Sequence, residues 1–272
     1  RDTGVRFENL CNQVSTSVAK YGGERLSTRE VTSSTGNHLY YSDMLTFYKF
    51  LLTTVWEEVP LQQASIYNYL CDGRLFAGEV NGIVQVSHPR RKAFVGYLEL
   101  QDYPSMSEPG MNNCLYFGGY EFIETQSFSF LSKREGVEAI TLQGKRLISS
   151  GEGSPEQIEH MEHAKEDVRN GRVFMGEYHY SLGVIGSSVA DTQLAMSAAR
   201  TALQEEAGYK VVTSDVIPEC AHFAQLPGVW KWRPRVATLT SRNFACLSPL
   251  HNFDLGKRRS NPWGDAIALL QT

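Results

Sequence analysis

Cysteine is scarce in this chain: five in 272 residues, an odd number that contains no C-x-x-C pair. Neither a disulfide framework nor a zinc site is indicated, and Cys11, Cys71, Cys114, Cys220 and Cys246 read as reduced thiols of a cytosolic setting. No run approaches the ~20 apolar residues of a membrane span. The nearest, His38 to Trp56, is interrupted by Asp43 and Lys49 and reads as a buried core helix, so membrane contact is peripheral at most. Basic charge is short as well: 26 Lys and Arg against 30 Asp and Glu leave −4, which excludes a generally basic nucleic-acid binder. Local basic patches remain at His88 to Lys92, Lys231 to Arg235 and Lys257 to Arg259. The chain opens at Arg1 rather than methionine and reads as a trimmed piece, so the lack of a secretory leader excludes nothing.

The motifs of common chemistries are missing too. The phosphate loop G-x-x-x-x-G-K-[ST] uses glycine amides and a lysine to hold phosphates and a hydroxyl to hold magnesium. Here the only Gly-Lys pairs, Gly144-Lys145 and Gly256-Lys257, are each followed by Arg, and Ala139 and His251 stand where its first glycine belongs. G-x-S-x-G is absent, which argues against an independent hydrolytic site. His160 and His163 lie near Glu156, Glu159 and Glu162 at a spacing that could hold a divalent ion, but a solvated charged helix face accounts for them better, so no metal site is expected. Glu57-Glu58, Glu166-Asp167 and Glu205-Glu206 are sequence neighbours whose carboxylates diverge on a helix.

What is present is the pattern of a globular α+β protein, with 42% apolar and 11% aromatic residues. Phe7 to Lys20 has helical apolar spacing and ends before Gly22-Gly23; Gly23 to Asn37 is polar and reads as a loop; His38 to Trp56 follows as a helix ended by Pro60. Asn81-Gly82 between apolar runs predicts a hairpin. Ala93 to Leu100 alternates as a strand until Asp102-Tyr103-Pro104, and a short helix around Pro109 to Phe117 leads to a second strand, Tyr120 to Leu131. Ser132 with Glu135, and Ser154 with Gln157 behind Pro155, form capping boxes for two helices, which read as a hairpin. Val173 to Ile185 predicts a strand, Ser188 with Asp191 caps a helix to Ala207, and Tyr209 to Thr213 closes the series. That order is a split βαβ, or ferredoxin-like, antiparallel sheet with an inserted helical hairpin. The expected layout is an N-terminal helical segment (1–65), the sheet domain (66–215, hairpin 132–170) and a connector (216–272).

The connector carries half of the chain's prolines, with Trp230 and Trp232 beside a basic run. Pro218, Pro227, Pro234, Pro249 and Pro262 leave helix room only between Glu219 and Leu226, and Val236 to Leu239 and Phe244 to Leu247 read as strands. In order, it contains FAQLPG (Phe223 to Gly228), RPR (Arg233 to Arg235), SRNFA (Ser241 to Ala245), PLHNF (Pro249 to Phe253) and NPWG (Asn261 to Gly264). This series, with Asp102-Tyr103-Pro104 and FIETQSFSFL (Phe122 to Leu131), resembles the CagE/TrbE/VirB family of type IV secretion ATPases, over roughly Ala93 to Thr272 and most specifically after Pro218.

The resemblance implies that a RecA-like motor follows this region in the family, with ATP and magnesium as cofactors of the whole protein and none for this portion. It further implies a docking and scaffold role at the cytoplasmic face of the bacterial inner membrane, contacts with inner-membrane subunits, self-association, and work in conjugation or pilus assembly. The residues it singles out are Gln225, Pro227, Gly228, Arg233, Arg235, Ser241, Asn243, Phe244, His251, Asn252, Asn261, Trp263 and Gly264, expected to shape the connector or face the motor. The segment from Val236 onward is expected to lack its pairing partner. The alternative is a DNA- or substrate-guiding module in which Trp230 and Trp232 stack on bases beside Lys231, Arg233 and Arg235.

Overall fold

The computed structural model describes residues 2–19, 23–32, 36, 38–80, 82–104, 106–150 and 155–248. The described residues divide into two compact units, one within Arg1–Arg25 and the other Leu26–Ser248. The first contains helix α1 (Asp2–Val18), which starts five residues before the apolar pattern and leaves Val5, Phe7, Leu10 and Val14 exposed. Arg25 pairs with Glu8 at 3.1 Å beside it.

The second unit begins with a departure from the sequence reading. Residues 28–42, expected as loop and helix start, form an antiparallel pair, β1 (Thr28–Thr32) and β2 (His38–Ser42), with Val31 opposite Leu39 and Glu30 opposite Tyr40. Aromatic and β-branched residues favour the pleated surface, and the apolar run alone did not separate strand from helix. Helix starts only where Ser42 Oγ accepts from the Leu45 amide at 3.3 Å, giving α2 (Asp43–Thr53). It ends at Thr54, held at φ 58°, and not at Pro60, which bridges to Tyr41.

The main sheet then assembles from β3 (Arg74–Val80), β4 (Ile83–His88) and β5 (Arg91–Asp102). A 3-10 segment, Met111–Phe117, leads to β6 (Glu121–Phe130), and helices α3 (Lys133–Ser150) and α4 (Pro155–Arg169) make the hairpin. The capping box at its start is formed: Glu135 N–H donates to Ser132 Oγ at 3.3 Å and Ser132 N–H to Glu135 Oε2 at 2.9 Å. The second box falls on Ser154, outside the described residues. Next come β7 (Met175–Gly186), α5 (Val189–Glu205), capped by Ser188 Oγ, and β8 (Lys210–Thr213). The connector supplies α6 (Pro218–Ala224), β9 (Ala237–Thr240) and α7 (Ser241–Leu247).

The fold is α+β, with an antiparallel sheet in the order β3-β4-β5-β7-β6; β8 pairs with β5 and β9 with β7. Strand alternation gives this sheet two working faces. On one, Leu98, Leu100, Tyr178, Tyr180, Leu182 and Val184 pack with Met196, Ala199 and Leu203 of α5 and Leu247 of α7. On the other, Val84, Val86, Ala93, Val95, Tyr97 and Ile185 pack with Ala221 of α6. The helical hairpin has its own small core of Ile140, Val168 and Met175.

Two expectations for the connector are corrected here. Phe244 to Leu247 is helical, because Thr240 Oγ1 caps the turn by accepting from the Asn243 amide at 3.1 Å. The described part of the segment after Val236 also has its partner within the chain: Ala237–Thr240 runs antiparallel to Met175–Tyr178.

Candidate functional site

The described connector grips the sheet from both sides. After α6 the backbone turns at Pro227-Gly228, where Gly228 is held at φ +86°, a region open to glycine without strain. It then crosses to the edge of β7 as β9 and turns onto the opposite face as α7.

On the α6 face the contact is polar and buried. The Tyr97 hydroxyl donates to His222 Nδ1 at 2.7 Å, while His222 Nε2–H donates to the Leu52 carbonyl at 3.1 Å; the network itself assigns this tautomer. Gln225 Nε2 donates to the Tyr97 oxygen at 2.8 Å and to the His222 carbonyl at 2.9 Å. Burial lowers the His222 pKa to about 4 and raises that of Tyr97 well above its ordinary value, so both are neutral at pH 7.

Beyond this triplet, Glu99 and Ser181 face each other across β5 and β7, with His179 two residues from Ser181 on the same face. All three are at most 1% exposed. Burial raises the Glu99 pKa against the opposing pull of Ser214 and Arg235, and burial beside Arg233 lowers that of His179 to about 4. Glu99 Oε1, both His179 ring nitrogens, Ser181 Oγ and Gln225 Oε1 find no hydrogen-bond partner among the described residues. Among the described residues, His179 and Ser181 are not hydrogen-bonded to each other as a base and its nucleophile would be.

The RPR motif covers the seam. Arg233, with its side chain 8% exposed, reaches Ser129 Oγ at 3.2 Å, Ser127 Oγ at 3.4 Å and Glu177 at 3.3 Å, and its guanidinium lies 4.9 Å from the Trp230 ring. Arg235, held at φ 44°, approaches Glu99 Oε2 at 3.4 Å. Together with Lys231, Trp232, Ser214 and Cys220 it borders a cavity of about 310 Å³ over Glu99.

On the other face, Phe244 stacks on Phe128 with centroids 4.8 Å apart and planes 14° apart, and also meets Tyr178. Ser241 Oγ accepts from the Phe174 amide at 3.2 Å, and Asn243 Nδ2 donates to Ser107 Oγ at 3.2 Å. The α7 carbonyl at Leu247 accepts from Asn112 and Gln126 at 3.3 and 2.9 Å.

The signature residues Gln225, Arg233, Arg235, Ser241, Asn243 and Phe244 are thus contacts that seat the connector on its own sheet, and Pro227 and Gly228 make its turn. His251, Asn252, Asn261, Trp263 and Gly264 lie outside the described residues. Sequence reasoning missed Tyr97, Glu99, His179, Ser181 and His222. A polar residue on the inward face of an apolar strand was the available signal, as at Glu99 in YLEL, but its partners lie far along the chain.

A separate ionic cluster gathers Glu57, Asp72 and His88, whose ligand-type atoms lie within 4.8 Å of one another. The Lys49 ammonium sits among them, 2.8 Å from Glu57 and 3.1 Å from Asp72, with its side chain 8% exposed, while Arg90 takes the other Glu57 oxygen at 2.8 Å. The Lys49 cation already pairs with two of these three side chains, Glu57 and Asp72, and the cluster ties α2 to the β4–β5 turn. His160 and His163 are on α4, where His163 approaches Glu159 only at 3.8 Å and both imidazoles are exposed.

The family model described as CagE, TrbE, VirB family, component of type IV transporter system, matches residues 26–235. The chain belongs to this family. Over 269 residues it is 38% identical to the type IV secretion system protein virB4 of Brucella suis biovar 1, covering 98% of this chain and 32% of that protein. It is 33% identical to PtlC of Bordetella pertussis over 271 residues, at the same two coverages, and 32% identical to virB4 of Bartonella henselae over 267 residues. The chain therefore spans about a third of the length of these relatives. The match reaches back to Leu26, well before Ala93, where the motif-based resemblance was expected to begin. Among the described residues of this family member, no helix is long and apolar enough to cross a membrane.

Proposed function

We propose that this chain is the docking and scaffold portion of a type IV secretion ATPase, a region that precedes a motor domain and joins it to the apparatus. The observation that carries this reading is the connector: Tyr97, His222, Gln225, Glu99 and Arg235 on one face, with Phe128 and Phe244 on the other, lock it to the sheet. A linker anchored in this way moves with the sheet as one body, as a mount for a motor requires. The strand order β8-β5-β7-β6 and its antiparallel ladders support a ferredoxin-like unit with the hairpin inserted between β6 and β7. The whole protein, on this reading, hydrolyses ATP with magnesium, self-associates, and works at the cytoplasmic face of the inner membrane in substrate translocation or pilus assembly. Its partners there are the membrane subunits of the same apparatus.

The alternative, a nucleic-acid guide, is weakened because Arg233 and Arg235 are engaged with Glu177 and Glu99, leaving Lys231, which lies 5.4 Å over the Trp232 ring, as the cation of that patch without an anionic partner among the described residues. Co-purification of this chain with detergent-solubilised inner-membrane subunits of its own secretion system tests the proposal. Stoichiometric retention of one of them is the expected result, and retention of none rejects it. Salt-sensitive binding of single-stranded DNA in place of a subunit would favour the guide.

A further inference from the structure

Strand β6 is an edge: it pairs with β7 through ten consecutive residues without a bulge and with nothing else among the described residues. The Leu131 amide continues that ladder, donating to the Met175 carbonyl at 2.9 Å. Antiparallel alternation therefore turns the N–H and C=O groups of Phe122, Glu124, Gln126, Phe128 and Phe130 outward. Proteins commonly blunt such edges with lysine, proline or a bulge, and EFIETQSFSF has none of these.

At the Phe130 end of the strand lies an apolar cavity of about 370 Å³, lined by Phe130, Leu131, Val168, Val173, Phe174 and Met175. Phe130 and Phe174 are 70% and 53% exposed at its mouth. Lys133 also lines it, at the first turn of α3, where the helix dipole is positive, and has no anionic partner among the described residues.

We propose that β6 and this cavity form a strand-addition site for an extended segment of a partner subunit. The segment lies along the edge, places an apolar side chain in the cavity and sets a neighbouring carboxylate against Lys133. Main-chain pairing supplies affinity and the cavity selects the sequence. A second copy of this chain is the poorer occupant. Self-pairing through β6 sets outward Phe122 opposite Phe130, but the carboxylate beside it, Glu121, is already held by Arg91 at 2.6 Å and gives Lys133 no free anion. The inference rests on the docking reading and names the surface that would do the docking.

The test uses the 272-residue chain, overlapping 15-residue peptides from the inner-membrane subunits of its own secretion system, and the intact subunits. Binding peptides should contain an apolar residue next to an acidic one and slow exchange of the five outward amides by about tenfold or more, with the interleaved amides unchanged. Lys133→Glu, an exposed helix-start substitution that keeps the fold, should weaken them by about tenfold. Peptides that bind without protecting those amides, or protection arising from self-association without peptide, overturn the site. If intact subunits are retained equally by wild type and Lys133→Glu, the site fails while the docking reading stands. If no subunit and no peptide is retained, both fall.

Discussion

Tyr97 and His222, 125 residues apart in the chain, meet through a 2.7 Å hydrogen bond that fastens the connector helix to the central strand. Neither side chain is exposed, so the bond is made in a medium where an unmade one is costly.

Tyr97→Phe removes the hydroxyl, leaving His222 Nδ1 without its donor and Gln225 Nε2 without one of its acceptors. Stability should fall by roughly 1–3 kcal/mol, seen as a lower urea midpoint with unchanged m-value. Amides of α6 should lose exchange protection before those of β5 and β7.

His222 and His179 give the protein an acid limb. Their folded pKa values, about 4, lie below the unfolded value of 6.5, so both are neutral in the folded chain and the unfolded chain binds protons first. The stability they contribute is complete above pH 6.5 and is lost as pH falls towards 4, by up to roughly 3 kcal/mol for each. Melting temperature measured between pH 7.5 and 4 should decline over that window. Replacing His179, whose ring nitrogens have no partner among the described residues, by Leu should flatten the decline with little loss at pH 7.5.

Phe244→Ala removes the ring stacked on Phe128 and touching Tyr178. Since Phe244 is partly buried, the expected cost is about 2–3 kcal/mol, at the low end for a truncated aromatic. Exchange protection of Ser241–Leu247 should collapse first; if α7 and the sheet instead open together, the two do not separate as independent units.

Gly186→Ala tests the junction of β7 with α5. A Cβ there would stand 2.7 Å from the Thr192 backbone nitrogen and 2.4 Å from its hydroxyl, and backbone cannot rotate out of the way. A loss of about 1–3 kcal/mol is expected from overpacking, measured by thermal unfolding.

Lys49→Met leaves Glu57 and Asp72 without their buried cation, although Arg90 still holds Glu57. Stability should fall by roughly 1–3 kcal/mol at pH 7, and the loss should shrink as pH drops and the carboxylates protonate. With Lys49 in place, micromolar zinc should not raise the melting temperature.

The local readings that held share a short range of causation. The Ser132–Glu135 box and the Asn81-Gly82 hairpin signal involve groups within a few residues of one another, so the chain spells them directly. The readings that failed turned on context. HLYYS and FACL are each compatible with strand and helix; pairing with β1 made the first a strand, and the Thr240 cap with packing on Phe128 made the second a helix. Similarly, the conspicuous residues of the connector were legible as a group, but their contacts were not, because Arg233 meets Ser127, Ser129 and Glu177 only after β6 and β7 have paired.

By itself, the order of residues determined the α+β class, the position of the helical hairpin, the missing phosphate loop and membership of the family, since each depends on spacing or on motif order along the chain. Tertiary structure alone decided that the connector straddles both faces of the sheet and that its seam is closed by Tyr97 with His222 and Gln225 and by Glu99 with Arg235. A polar side chain becomes a buried partner only when distant strands bring a second one within about 3 Å, and no local pattern encodes that meeting.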